Sequence, residues 1–192
     1  MALPPFGTGI DAYNDKGKVN KVAKNKKSRA EIELYDDDAI VLDNVTKSYK
    51  VTKANKGSNV LKGISLRIKK GEFVFIVGDS GSGKSTLLNV IGGLDKPTSG
   101  EITVKGKSSK DFTSADFDSY RNTFVGSVFQ EYNILEEFTV EQNIAIALQL
   151  QNKVATKESI KDILNTVDLS GVEKRKPKTL SGGQRQRIAI AR

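Results

Sequence analysis

The residues Gly78-Asp79-Ser80-Gly81-Ser82-Gly83-Lys84-Ser85 set glycines, an amine and a hydroxyl at the spacing G-x-x-x-x-G-K-[ST]. Each type has a chemical reason to be there. Gly81 and Gly83 permit a backbone turn in which successive N–H groups converge on one anion. A helix pattern follows over Ser85–Ile91 and would aim its positive end at the same point. From that turn Lys84 can reach β- and γ-phosphates, and the Ser85 hydroxyl can ligate Mg²⁺. Together with Gly78, Asp79, Ser80, Ser82 and Thr86, these residues form a candidate cofactor-binding loop for a nucleoside triphosphate with magnesium.

A second stretch has related chemistry. In Leu180-Ser181-Gly182-Gly183-Gln184, Ser181 and Gln184 stand at capping-box spacing, so Ser181 is expected to start a helix running to Arg192. Gly182 and Gly183 leave the first N–H groups of that helix sterically open, which makes a second anion site. One bound phosphate does not need two such sites. Both are useful if they contact the same nucleotide from opposite sides, and that requires two chains.

The surrounding pattern supplies the elements to position these loops. Ala39–Tyr49 and Val60–Ile68 alternate as strands do, with Lys56-Gly57-Ser58 as turn material between them. The run Glu72–Gly78, rich in Phe and Val, is expected to be a fully buried parallel strand. Glu101–Val104 and Val125–Gln130 read as further strands. Thr139 and Gln142 form a capping-box pair ahead of Ile144, Ala147 and Leu148. Ile160, Ile163, Leu164 and Val167 then fall on one face of another helix. Strands alternating with helices indicate an α/β domain at 39–192, with a helical subdomain at about 133–180.

Composition narrows the chemistry. Among 192 residues there is no cysteine and no histidine, which excludes disulfides and thiolate metal sites and removes the commonest general base. No apolar run approaches the eighteen or so residues of a membrane helix. In residues 1–30, seven Lys or Arg against two Asp hold five of the net +8 charges. Residues 1–38 read as a basic, then acidic, extension that is expected to be disordered.

LSGGQ following G-x-x-x-x-G-K-S resembles the ATP-binding-cassette ATPases, and the resemblance runs from Ile40 to Arg192. It implies an α/β P-loop core with an antiparallel β part, and ATP and Mg²⁺ as cofactors. It also implies roles for particular residues. Ser181, Gly182 and Gly183 would contact ATP held by a partner subunit, with Gln184 shaping the turn. Gln130 would stand at the loop between core and helical subdomain, reaching magnesium and the attacking water; with Lys84 it makes the candidate catalytic pair. Tyr49 would stack on adenine. The wording VLKGISLRIKKGEFVFIVGDSGSGKSTLLNVIGGLDKPTSG is similar to the subgroup serving macrolide export, lipoprotein release and antimicrobial-peptide resistance.

In that family a further strand ends in Asp-Glu, and a switch histidine follows. These 192 residues contain neither, so the expected reading is a cassette ATPase cut short before that strand. The expectation is that they bind nucleotide and do not by themselves hydrolyse it at a useful rate, since a positioned general base contributes roughly 10²–10⁴ in rate. The implied partners are transmembrane permease subunits and a second cassette subunit, identical or not, with the chain at the cytoplasmic face of the plasma membrane. Two other readings stay open. One is a shortened subunit that lends its LSGGQ turn to a complete partner; the other is a non-transport cassette ATPase acting in DNA repair or on ribosomes.

Overall fold

A computed structural model describes residues 11–14, 19–20, 37–52 and 55–192. They form two compact units, one ending at Asp118 and the other spanning Ser119–Arg192.

The first unit is organised on a long antiparallel ribbon of β3 (Asp38–Thr52) and β4 (Asn55–Lys69). β6 (Ser99–Val104) pairs with the other edge of β3, and β7 (Lys107–Ser108) pairs with β6, giving the order β4-β3-β6-β7. Leu42, Leu66 and Ile102 stand opposite one another across β3, β4 and β6 and are buried on one face of this sheet, and Val41, Val45 and Leu61 are buried as well. Lys56-Gly57-Ser58 is not a turn but part of β4, with Ser58 opposite Tyr49 and Lys56 opposite Val51. Cross-strand pairing with a β-branched and aromatic partner strand outweighs the turn composition of those three residues.

The strand β5 (Val74–Val77) leads through residues 78–83 into the helix α1 (Lys84–Ile91), which lies against β4 and buries Leu87 and Val90. Here the expectation of a fully buried parallel strand is corrected. Among the described residues β5 pairs only with β1 (Asp11–Asn14), which is antiparallel and itself paired with β2 (Val19–Asn20). Phe73 and Phe75 remain 63% and 55% exposed, one ring set edge-on against the other at 4.7 Å. An apolar run records what a strand is suited to be covered by; the covering must come from other segments. The rest of the basic-then-acidic extension, residues 1–10, 15–18 and 21–36, lies outside the described residues.

The second unit is helical: α3 (Val140–Leu150), α4 (Lys157–Thr166) and α5 (Gly182–Ala191), preceded by the end of α2 (Ser114–Thr123). Val140, Ile144, Ile160, Leu164, Leu169, Val172, Leu180 and Ile188 form its core. The fully buried Asn143 stitches the preceding loop to α3. Its Oδ1 accepts from the Leu135 N–H at 3.0 Å, and its Nδ2 donates to the Leu135 and Thr139 carbonyls at 3.0 Å each. Paired in this way, a buried amide costs little and fixes the loop. Thr139 and Gln142 make the expected capping box, and Thr156 with Ser159 makes another.

Val125–Gln130 is not a strand. Residues 125–129 have no regular secondary structure and no ladder partner among the described residues, and Gln130 falls in a turn. β-propensity is expressed only where an edge is offered. The apolar side chains of this segment instead line a cleft of about 400 Å³ within the second unit.

Candidate functional site

The phosphate loop is built by three residues with backbone angles suited to glycine. Gly78, Gly81 and Gly83 have φ of 154°, 78° and 100°. A Cβ at Gly83 would lie 2.9 Å from Val60 Cγ1 and 3.3 Å from the Val60 carbonyl, so the loop is pressed on β4 at this point. At Gly81 a Cβ would meet nothing within 4 Å. That side of the loop is open to a ligand.

Gly83 caps α1 with no side-chain hydrogen bond, so the first N–H groups of the helix are left for an anion. Lys84 folds back over the loop, donating to the Gly78 and Asp79 carbonyls at 2.8 and 2.7 Å. An ammonium has three donors, and these two bonds leave one. Ser82 Oγ is buried without a hydrogen-bond partner, an orphan that a phosphate oxygen at the loop would satisfy. Asp79, Ser80 and Ser85 are exposed and Thr86 is half-buried, all at the mouth of the same loop. Donor set, open face and orphaned hydroxyl together fit a polyphosphate, with the Ser85 hydroxyl available to a cation.

Tyr49, 38% exposed on β3, is held by a network that spacing did not reveal. Its hydroxyl donates to Asp95 Oδ2 at 2.9 Å, and Lys47 Nζ lies 5.0 Å from its ring centroid while contacting Asp95 Oδ1 at 2.5 Å. Burial alone would push the Asp95 carboxyl up. The bonds from Lys47, Tyr49 and the Lys96 N–H overcome this, leaving its pKa below the ordinary carboxylate value. The carboxylate therefore stays ionised at neutral pH, and this tie is lost only as pH falls through that lowered pKa. The two-residue interval between Lys47 and Tyr49 is same-face strand spacing and was the one available signal. Nothing in the sequence pointed to Asp95.

Gln130 and the LSGGQ turn belong to the second unit. Gln130 is exposed. Ser181 Oγ accepts from the Gln184 N–H at 3.3 Å while Gln184 Oε1 accepts from the Ser181 N–H at 3.0 Å, which completes the capping box on α5. Gly182 and Gly183 are exposed, and a Cβ at Gly183 would meet nothing within 4 Å. Leu180, buried in the helical core, anchors the turn from behind. The Gln130 neighbourhood touches it: Tyr132 Oη lies 3.9 Å from where a Gly182 Cβ would be, and Arg192 donates to the Asn133 carbonyl at 2.6 Å. Ser181→Ala is expected to cost about 1 kcal/mol through loss of the cap. A denaturant titration that showed no loss would contradict the capping role.

Residues 61–192 match the family model described as "ABC transporter". A putative ABC transporter ATP-binding protein (MG065 homolog) of Mycoplasma pneumoniae is 36% identical over 178 residues, which is 92% of this chain and 38% of that protein. That alignment extends to residues before Ile40. The lipoprotein-releasing system ATP-binding protein LolD of Psychrobacter arcticus is 44% identical over 70% of the chain and 61% of its own length. Among solved structures, the ATP-binding cassette MJ0796, dimeric and bound to ADP and Pi, superposes with a TM-score of 0.68 at 37% identity, covering 79% of this chain and 67% of that one. The chain thus spans about 38% of the length of the first of these curated relatives. It belongs to the ABC transporter family and carries that family's ATP-binding α/β domain.

Proposed function

We propose that this chain binds Mg–ATP and, through ATP-dependent pairing with a second cassette subunit, drives export by separate transmembrane permease proteins at the cytoplasmic face of the membrane. The observation that carries the reading is the pair of open helix N-termini, one on α1 behind the glycine loop and one on α5 behind Ser181. Lys84 and the loop N–H groups would hold the β- and γ-phosphates, Ser85 and Gln130 would face the cation, and Tyr49 would stack on the base. Bound Mg²⁺ would draw charge from the phosphate oxygens. Ser181, Gly182 and Gly183 would close on the γ-phosphate of nucleotide held by the partner subunit, with Gln184 keeping the turn in shape. Gln130 and the helices α3 and α4 would relay that closure to the permease.

No helix among the described residues is long and apolar enough to cross a membrane. The relatives named for lipoprotein release and macrolide export support the direction of transport. Sedimentation of the chain with and without a non-hydrolysable Mg–ATP analogue tests the sandwich. The expected result is a monomer that dimerises only with nucleotide. A chain that stays monomeric at saturating nucleotide would refute closure in trans.

A further inference from the structure

The helix α1 carries the phosphate loop at its N-terminus, and the turn after its C-terminus carries Asp95. That turn is held to the helix, since the Leu94 and Asp95 N–H groups both donate to the Asn89 carbonyl, at 2.8 and 3.1 Å. The same turn is laced to β3. The Thr98 N–H donates to the Thr46 carbonyl at 2.8 Å, the Ser48 N–H donates to Thr98 Oγ1 at 2.9 Å, and Lys47 Nζ donates to the Lys96 carbonyl at 2.8 Å. One short helix therefore fixes both the cradle and the carboxylate to which the Tyr49 hydroxyl is tied.

Asp95 uses both its oxygens. Oδ2 takes the Tyr49 hydroxyl, while Oδ1 takes Lys47 Nζ and the Lys96 N–H, the latter at 2.8 Å. Lys47, only 11% exposed, is thereby held over one face of the Tyr49 ring. A ring tethered at its hydroxyl and backed by a cation on one face has a single orientation and one face left for a flat partner.

We propose that Asp95 is a positioning residue for base recognition: it locks the Tyr49 ring, with Lys47 behind it, in the orientation that receives the purine of a nucleotide whose phosphates lie in the Gly78–Ser85 loop. This rests on the assignment of Tyr49 as the base-stacking residue and goes beyond it. Without the tether, the ring must be ordered each time a base binds, and immobilising one such side chain corresponds to roughly three- to tenfold in affinity. Asp95 itself need not touch the nucleotide.

The test compares the affinity of the 192-residue chain for Mg–ATP with that for magnesium tripolyphosphate by titration calorimetry. Tripolyphosphate presents the phosphate chain without base or sugar, so the ratio isolates recognition of the nucleoside. The unaltered chain is expected to prefer ATP. Asp95→Ala should reduce that preference roughly three- to tenfold and leave tripolyphosphate affinity unchanged, which also certifies that the loop is folded. Tyr49→Phe keeps the ring and loses the tether, so it should lose the same factor, and the double variant should lose no more than either single one. If Asp95→Ala fails to fold, Tyr49→Phe alone decides.

Unchanged ATP preference in these variants would overturn the proposal. An equal fall in ATP and tripolyphosphate affinity would also overturn it, because Asp95 would then only hold the loop. An unaltered chain that binds both ligands equally would overturn base stacking by Tyr49 itself. If Lys84→Ala changed neither affinity, the phosphate-loop assignment would fail instead.

Discussion

Lys84→Ala is expected to weaken Mg–ATP binding by roughly 30- to 150-fold, equivalent to about 2–3 kcal/mol for lost charge-assisted bonds to phosphate. The side chain is already placed for that role. Its ammonium spans the loop from the Gly78 carbonyl to the Asp79 carbonyl and keeps a third donor directed by the same stem. The substitution removes an anion ligand and a clasp together, and the two effects can be separated. The clasp bonds, partly exposed, contribute about 0.5–1.5 kcal/mol each at most, so the ligand-free melting temperature should move only a few degrees. Lys84→Arg keeps the charge but carries it on a wide planar fork, and it should restore binding only in part. Calorimetric titration of the three proteins is the measurement. Wild-type affinity in Lys84→Ala would remove the central residue from the proposed site.

Gly100→Ala should destabilise the first unit by about 3–5 kcal/mol, from left-handed backbone strain and steric overlap in combination. Gly100 has φ of 87°, and a Cβ there would lie 2.4 Å from the Asn44 carbonyl oxygen and 2.6 Å from Val45 Cα. These are backbone atoms of the central strand β3, at a bulge where Asn44 itself has φ of 46°, so nothing can swing aside. Gly106 provides the control. Its φ is 79°, but a Cβ there would meet nothing within 4 Å, so Gly106→Ala should cost only about 1 kcal/mol. Thermal unfolding of both variants checks the difference, at roughly 2–4 °C per kcal/mol for a chain of this size. Equal melting temperatures would show that the close approach of β6 to β3 carries no weight.

How much of the site was legible depended on how local its causes are. The phosphate loop, the Ser181 capping box and the Thr139 capping box were readable because each is made by residues within a few positions of one another. A glycine that must adopt positive φ, or a hydroxyl three residues before a glutamine, is written contiguously in the chain. The amphipathic face of α4 was legible for the same reason, since its period is set by helix geometry alone. The strand expected at Val125–Gln130 and the buried parallel setting of β5 were not, because a strand is completed only by a neighbour. Phe73 and Phe75 show the apolar composition of a core strand while exposed in the structure. Val128 and Phe129 line a cleft instead of joining a ladder. The turn assigned to Lys56-Gly57-Ser58 failed through the same non-local cause, a long partner strand.

By itself, therefore, the sequence determined an α/β domain with a glycine phosphate loop and a second, serine-capped glycine turn, because backbone angle, capping and helical period are properties of neighbouring residues. Only the tertiary structure decided that Gly83 is pressed on Val60. The same holds for Tyr49, oriented by an aspartate forty-six positions away. Such contacts depend on which distant segments the packing of β3, β4 and α1 brings within a hydrogen-bond length, and no spacing along the chain records that.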